Sequence, residues 1–226
     1  MAEQQDRGLM MAIAVLGGTG KEGSGLAMRW ALNGYKVIIG SRDGERAQAK
    51  AAEFNAELGG DYLIGMGNED AAKAADLIVI SVPYDAHKST LEAVRSHLMG
   101  KILVDVTVPL QPPQVRTVHV PEGKAAGLEA QAFLGSEVRV VSAFQNVSAE
   151  KMKDPNMNVD CDVLVCGDDA DAKNEVIQLV KAAGMRGIDA GPLANAVAAE
   201  ALTPVLLYIN KAYKVKGAGI RITNLD

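Results

Sequence analysis

Short apolar runs without helical period alternate along this chain with longer segments whose apolar positions recur every three or four residues. Residues 12–16 (AIAVL) form the first run, closed by Gly17 and Gly18, and predict a buried parallel strand. Residues 20–33 carry Leu26, Ala27, Trp30 and Ala31 on one helical face, with Gly34 as a left-handed stop. The same reading predicts further strands at 36–40 (KVIIG), 62–66, 77–82 (LIVISV), 102–105 (ILVD), 138–143, 162–166 and 186–189. Helices are expected at 44–58, 69–75, 87–98, 123–133 and 171–183, and a last one from about 192 to 214. Asp43 and Asn68 stand where two of these helices need N-caps, and the acidic run Asp168, Asp169, Asp171 where a third does. Strands alternating with helices through short turns predict a doubly wound α/β fold of Rossmann type, a mostly parallel sheet covered on both faces, with a small C-terminal helical segment. Residues 110–123, with Pro112, Pro113 and Pro121, predict an irregular loop over the carboxyl edge of the sheet.

Composition narrows the class. In 226 residues, 48% hydrophobic and 23% charged, there is enough apolar material for one large domain and too much for a disordered chain. We divide it into an N-terminal extension (1–11), a dinucleotide-binding domain (12–190) and a C-terminal helical segment (191–226). The net charge of -5 gives no basic stripe, which argues against a nucleic-acid or anionic-membrane partner. Cys161 and Cys166 lack the spacing of a redox or zinc motif and flank a predicted buried strand, so reduced thiols and a cytoplasmic protein are expected. The opening residues are polar, and no apolar run is expected to approach the roughly 20 residues of a membrane span.

Gly18-Thr19-Gly20-Lys21-Glu22-Gly23 has the GxGxxG spacing directly after the first strand and opens the first helix. The glycines allow the tight turn, the approach of backbone to a pyrophosphate and close helix–strand packing, with the helix N-terminus facing the anion. An acidic residue at the end of the second strand would hold a ribose hydroxyl and repel phosphate; Gly40-Ser41-Arg42 stands there instead. The hydroxyl of Ser41 and the guanidinium groups of Arg42 and Arg46 suit the 2′-phosphate of NADP, although both arginines could equally solvate a helix surface beside Asp43 and Glu45. Val82-Pro83-Tyr84 and Val108-Pro109-Leu110 follow two strands on the carboxyl edge, where they either wall a nicotinamide ring or simply end strands. His87, His97 and His119 show no ligand spacing and no evident carboxylate partner, so surface or helix-end positions are expected and no metal site is assigned.

These motifs, with Asn68-Glu-Asp-Ala-Ala, Val140-Val-Ser-Ala, Val165-Cys-Gly-Asp-Asp, Asp189-Ala-Gly-Pro-Leu-Ala-Asn and Glu200-Ala-Leu-Thr-Pro, resemble those of the F420-dependent NADP reductases, from about Ala12 to the C-terminus. The resemblance implies hydride transfer between NADP(H) and the deazaflavin coenzyme F420. It places Thr19 to Glu22 at the pyrophosphate, Ser41, Arg42 and Arg46 at the 2′-phosphate, and Val82, Tyr84, Leu110 and Ala149 near the nicotinamide. Archaeal members carry a histidine after the Val-Ser-Ala strand, near the deazaflavin, and Gln145 occupies that position here. Gln145, Asn146 and Val147 are expected to floor the acceptor pocket, with the last helix closing it. Gln145 and Asn146 could alternatively satisfy backbone groups at the strand end. No catalytic dyad is evident, so positioning and water exclusion are the expected contributions of the protein. A homodimer is expected from the resemblance and from the apolar helix between Val197 and Ile209. Two other functions compatible with the residues are NADPH-dependent reduction of a flavin, ferric chelate or imine, and non-catalytic sensing of NADP(H).

Overall fold

The structure is a computed structural model and describes residues 11–225, so the N-terminal extension, Met11 apart, lies outside the described residues. Strands β1 (Ala12–Leu16), β2 (Lys36–Ser41), β3 (Leu63–Gly67), β4 (Leu77–Ile80), β5 (Ile102–Asp105), β6 (Arg139–Ser142), β7 (Asp162–Gly167) and β8 (Arg186–Asp189) form one sheet in the order β3-β2-β1-β4-β5-β6-β7-β8. They alternate with α1 (Lys21–Leu32), α2 (Gly44–Leu58), α3 (Asn68–Ala74), α4 (Tyr84–Val94), α5 (Ala126–Leu134), α6 (Ala149–Met152), α7 (Ala170–Ala182) and α8 (Ala196–Ala212). The direction of winding changes between β1 and β4, which opens a crevice at their carboxyl ends, the place where ligands bind in open α/β sheets.

Alternate residues of one strand enter different cores. Ile13 and Val15 of β1 pack with Leu26, Trp30, Phe54 and Leu179 of α1, α2 and α7, whereas Ala14 and Leu16 pack with Ala71, Leu91, Ala130 and Ala196 of α3, α4, α5 and α8. Burial on both faces is why these strands read as continuous apolar runs. Neighbouring strands are parallel except β6 and β7, which pair antiparallel. The connection between them, residues 143–161, carries only the four-residue α6 and no crossover helix of the kind that usually joins parallel neighbours.

Asp43 caps α2 by accepting from the N–H groups of Glu45 and Arg46, and Asp169 caps α7 through Ala172. The expected cap at Asn68 is absent: Gly67 occupies the N-cap, and Asn68 begins α3 with its side-chain oxygen buried against Gly40 and without a partner. Contrary to the expectation that no segment suits a membrane span, Leu193–Ala212 has the length and hydropathy, mean 1.3, to qualify by composition. In this fold it carries a buried carboxylate, Glu200, and packs against α5. The Arg29 guanidinium, buried at the end of α1, donates to five carbonyls, of Lys151, Met152, Asp154, Met157 and Ala183, and so ties α6 and the loop after it to the body of the sheet.

Candidate functional site

The glycine turn is shaped by backbone. Gly17 has φ +80°, and a Cβ there would stand 2.3 Å from the Ser81 carbonyl oxygen. A Cβ on Gly18 would stand 2.7 Å from the Val15 carbonyl oxygen, and one on Gly23 3.0 Å from that of Gly17, so these residues are needed for close packing. A Cβ on Gly20 would meet only the Gly17 carbonyl, at 3.2 Å, and would otherwise stand free at the wall of a cavity. The N–H groups of the first turn of α1 have no intrahelical partners and the positive end of the helix dipole lies there, a fit for an anionic pyrophosphate. Loss of hydration pushes the half-buried Glu22 carboxyl up to about 8, which lessens the negative charge beside that position. Lys21 pairs across the mouth with Glu150 at 3.1 Å, both side chains exposed.

The cavity, about 610 Å³, runs from Gly20, Lys21 and Glu22 past Ser81, Val82 and Pro83 to Thr107, Val108 and Leu110, and on to Gln145, Asn146, Val147 and Ala149. Thr203, Leu206, Leu207 and Asn210 of α8 form its far wall. Leu110, Val82, Pro83 and Ala149 therefore line one cavity. Tyr84 does not: it lines a separate cavity between α4 and α5, and its hydroxyl donates to Glu129 at 2.9 Å. Thr19 lies in the turn outside the cavity lining. Ser41 is buried with its hydroxyl accepting from the Asp43 N–H, while Arg42 and Arg46 are exposed, Arg42 beside a shallow groove that includes Gly67 and Asp70.

Gln145 and Asn146 satisfy backbone carbonyls and also line the cavity. The Asn146 amide donates to the Asp162 carbonyl at 2.7 Å and to Cys161 Sγ at 3.3 Å, and both residues still line the cavity. Gln145 Nε2 donates to the Asp105 carbonyl at 2.7 Å and to Ser142 Oγ at 2.8 Å. Its backbone carbonyl accepts from Thr203 Oγ1 at 2.6 Å, which joins α8 to the pocket floor. Phe144, just before it, is a buried non-glycine residue at φ +74° whose ring meets Trp30 edge to face at 5.9 Å.

A buried ionisable cluster behind the pocket was not anticipated. His87, expected at the surface, is only 3% exposed, and its Nε2 lies 2.7 Å from Asp105 Oδ2. Burial draws the imidazole pKa down, but the charges of Asp105, Glu129 and Glu200 outweigh it and the net shift is upward. Glu200 accepts from the N–H groups of Ala126 and Gly127 at 2.7 and 3.1 Å, capping α5 from another helix, and burial pushes its carboxyl up to about 8. Burial and the bond to Glu129 push the Tyr84 phenol up to about 12. The sequence did contain a signal: Asp105 ends an otherwise apolar strand and Glu200 interrupts an apolar helix, and buried carboxylates require donors. Among the described residues no group of three or more His, Cys, Asp or Glu is placed to hold a metal ion.

A glycine turn at a helix N-terminus, open to a largely apolar cleft at the switch point of the sheet, defines a dinucleotide-binding protein. The sequence profile of the family described as "NADP oxidoreductase coenzyme F420-dependent" matches residues 12–109. The F420-dependent NADP reductase of Methanocaldococcus jannaschii is 44% identical over 96% of this chain and all of that protein. The F420-dependent NADP reductase of Methanothermobacter thermautotrophicus is 43% identical over 96% of this chain and 97% of its own length. A crystal structure of a hypothetical protein from Sinorhizobium meliloti superposes with TM-score 0.68 at 24% identity, covering 85% of this chain and 88% of that one, and shows the shared fold. The chain belongs to the F420-dependent NADP reductase family.

Proposed function

We propose that this protein transfers hydride between NADP(H) and the deazaflavin coenzyme F420. The observation that carries this reading is the single cavity that joins the glycine turn to the Gln145 floor and the wall of α8, in a chain that matches reductases of that name over nearly its full length. NADPH supplies the hydride at nicotinamide C4 and the deazaflavin ring accepts it. Gly20 and the first turn of α1, in a turn shaped by Gly18 and Gly23, hold the pyrophosphate; Ser41, Arg42 and Arg46 hold the 2′-phosphate. Val82, Pro83, Leu110 and Ala149 shelter the nicotinamide from water, and Gln145, Asn146 and Val147 with α8 hold the acceptor ring. No side chain is assigned as an acid or base.

The reading extends to a cytoplasmic homodimer. Val205 and Tyr208 on α8 and Tyr213 after it are exposed, and in the dimer they would be covered by a second copy. The reaction is tested by NADPH oxidation with F420 as acceptor, beside FMN, a ferric chelate and an NADH control. Rapid turnover of F420 with NADPH alone supports the assignment; binding of NADPH with turnover of FMN or ferric chelate instead overturns it.

A further inference from the structure

Three buried side-chain polar atoms among the described residues have no hydrogen-bond partner: Asn68 Oδ1, Thr107 Oγ1 and Gln145 Oε1. Asn68 lies behind Gly40, but Thr107 and Gln145, each 3% exposed, line the same cavity, which is otherwise walled by side chains such as Val82, Leu110 and Leu206. Leaving a buried donor or acceptor unmet costs about 1–3 kcal/mol, so two in one cavity mark a place where a ligand supplies the partners.

Asp105 holds the backbone of Thr107 and the side-chain amide of Gln145. Asp105 accepts from the Thr107 N–H through Oδ1 at 3.0 Å and from Gln145 Nε2 through its backbone carbonyl. Its other oxygen is held by His87. With Nε2 engaged by two acceptors, the Gln145 amide cannot turn over without setting its oxygen against the Asp105 carbonyl, so Oε1 is an obligate acceptor. The left-handed backbone at Phe144 delivers Gln145 to this position, a strained conformation of the kind retained where a side chain must be aimed. Thr107, a hydroxyl, both donates and accepts. The dinucleotide enters from the glycine turn, so the Gln145 end of the cavity, against α8, meets the second ring.

We infer that Thr107 Oγ1 and Gln145 Oε1 form a two-point recognition station for a ring edge bearing an N–H beside a carbonyl, as in the imide of a pyrimidinedione ring. This rests on the proposed reaction and identifies the feature of the acceptor that the pocket selects: Gln145 receives the imide N–H and Thr107 donates to the adjacent carbonyl. His87 and Asp105 are positioning residues behind the station.

The test is calorimetric titration of the NADP-loaded protein with an 8-hydroxy-5-deazaflavin and with the same ring methylated at the imide nitrogen, alongside Thr107→Val and Thr107→Ser. Methylation is expected to weaken binding by about 10- to 100-fold, the range of one lost hydrogen bond that strands a buried acceptor. Thr107→Val should weaken the unmethylated ring about 5- to 30-fold, with Thr107→Ser near wild type and the dissociation constant of NADPH unchanged in both. Equal binding of the two rings, or a Thr107→Val loss that falls on NADPH instead, overturns the station. Circular dichroism of each variant separates these results from misfolding. F420 turnover by wild type, measured in parallel, separates failure of the station from failure of the reaction assignment.

Discussion

The two ends of the cavity are built by different means. At the end proposed for the dinucleotide, six consecutive residues, Gly18 to Gly23, form a turn shaped by backbone, and a single added carbon at Gly18 would collide with Val15 and Ile39. At the end proposed for the acceptor, side chains from the β5 exit (Thr107), the β6 exit (Gln145) and α8 (Thr203) converge from positions almost a hundred residues apart, and hydrogen bonds hold Gln145 and Thr203 in place. A backbone site depends on which residues lack a side chain, whereas a converged site depends on which buried polar groups keep each other in register. The first therefore tolerates almost no added volume, and the second tolerates volume better than a lost partner.

Four changes sharpen that contrast. The largest effect is expected at the backbone end: Gly18→Ala should cost about 1–3 kcal/mol of unfolding free energy through overpacking and remove measurable NADPH binding. Urea unfolding and calorimetry check it, and a variant that binds NADPH normally would refute the packing role. Next, Arg42→Ala should weaken NADPH roughly 10- to 100-fold, as expected for a lost charge-assisted contact, and leave NADH unaffected. Equal losses for both nucleotides would remove Arg42 from the 2′-phosphate site.

The third concerns the cluster behind the acceptor end. A carboxyl at about 8 in the folded chain and near its ordinary value in the unfolded chain binds its proton more tightly when folded. Its stabilisation is complete below the unfolded pKa of about 4.3 and is lost as pH rises through about 8. The raised imidazole of His87 acts in the same direction, its contribution fading above the ordinary histidine range. The protein should thus unfold at lower urea at pH 9 than at pH 6, and Glu200→Gln should flatten the difference. An unaltered pH slope in Glu200→Gln would show that this carboxylate carries none of it. The smallest effect is expected at the mouth: Lys21 and Glu150 are exposed, so Lys21→Ala should leave stability nearly unchanged, and the more so at high salt. Urea midpoints at two salt concentrations test this.

This contrast also governs what the sequence revealed. The inner strands were legible within a residue or two because burial on both faces leaves a continuous apolar run, as in LIVI and ILVD. The glycine turn was legible because its constraints fall on adjacent residues. Direction was not: β7 runs antiparallel to β6, and the one helix between them, Ala149–Met152, carries too few residues to show a period. The partnership of His87 with Asp105 links α4 to β5 across 18 residues with no fixed spacing, and that of Glu200 with the start of α5 spans 74. Tyr84 was misplaced for a related reason, since α4 starts at Tyr84 rather than near His87 and turns the ring toward Glu129.

The five carbonyls gathered around Arg29 have a kinetic consequence. They fasten the segment that carries Ala149 and Glu150, which line the cavity, to α1 and to the end of α7. Ordering a loop on binding costs entropy and adds a slow step; a segment already fastened avoids both. NADPH association should accordingly follow a single exponential whose rate rises linearly with concentration, without a plateau for closure.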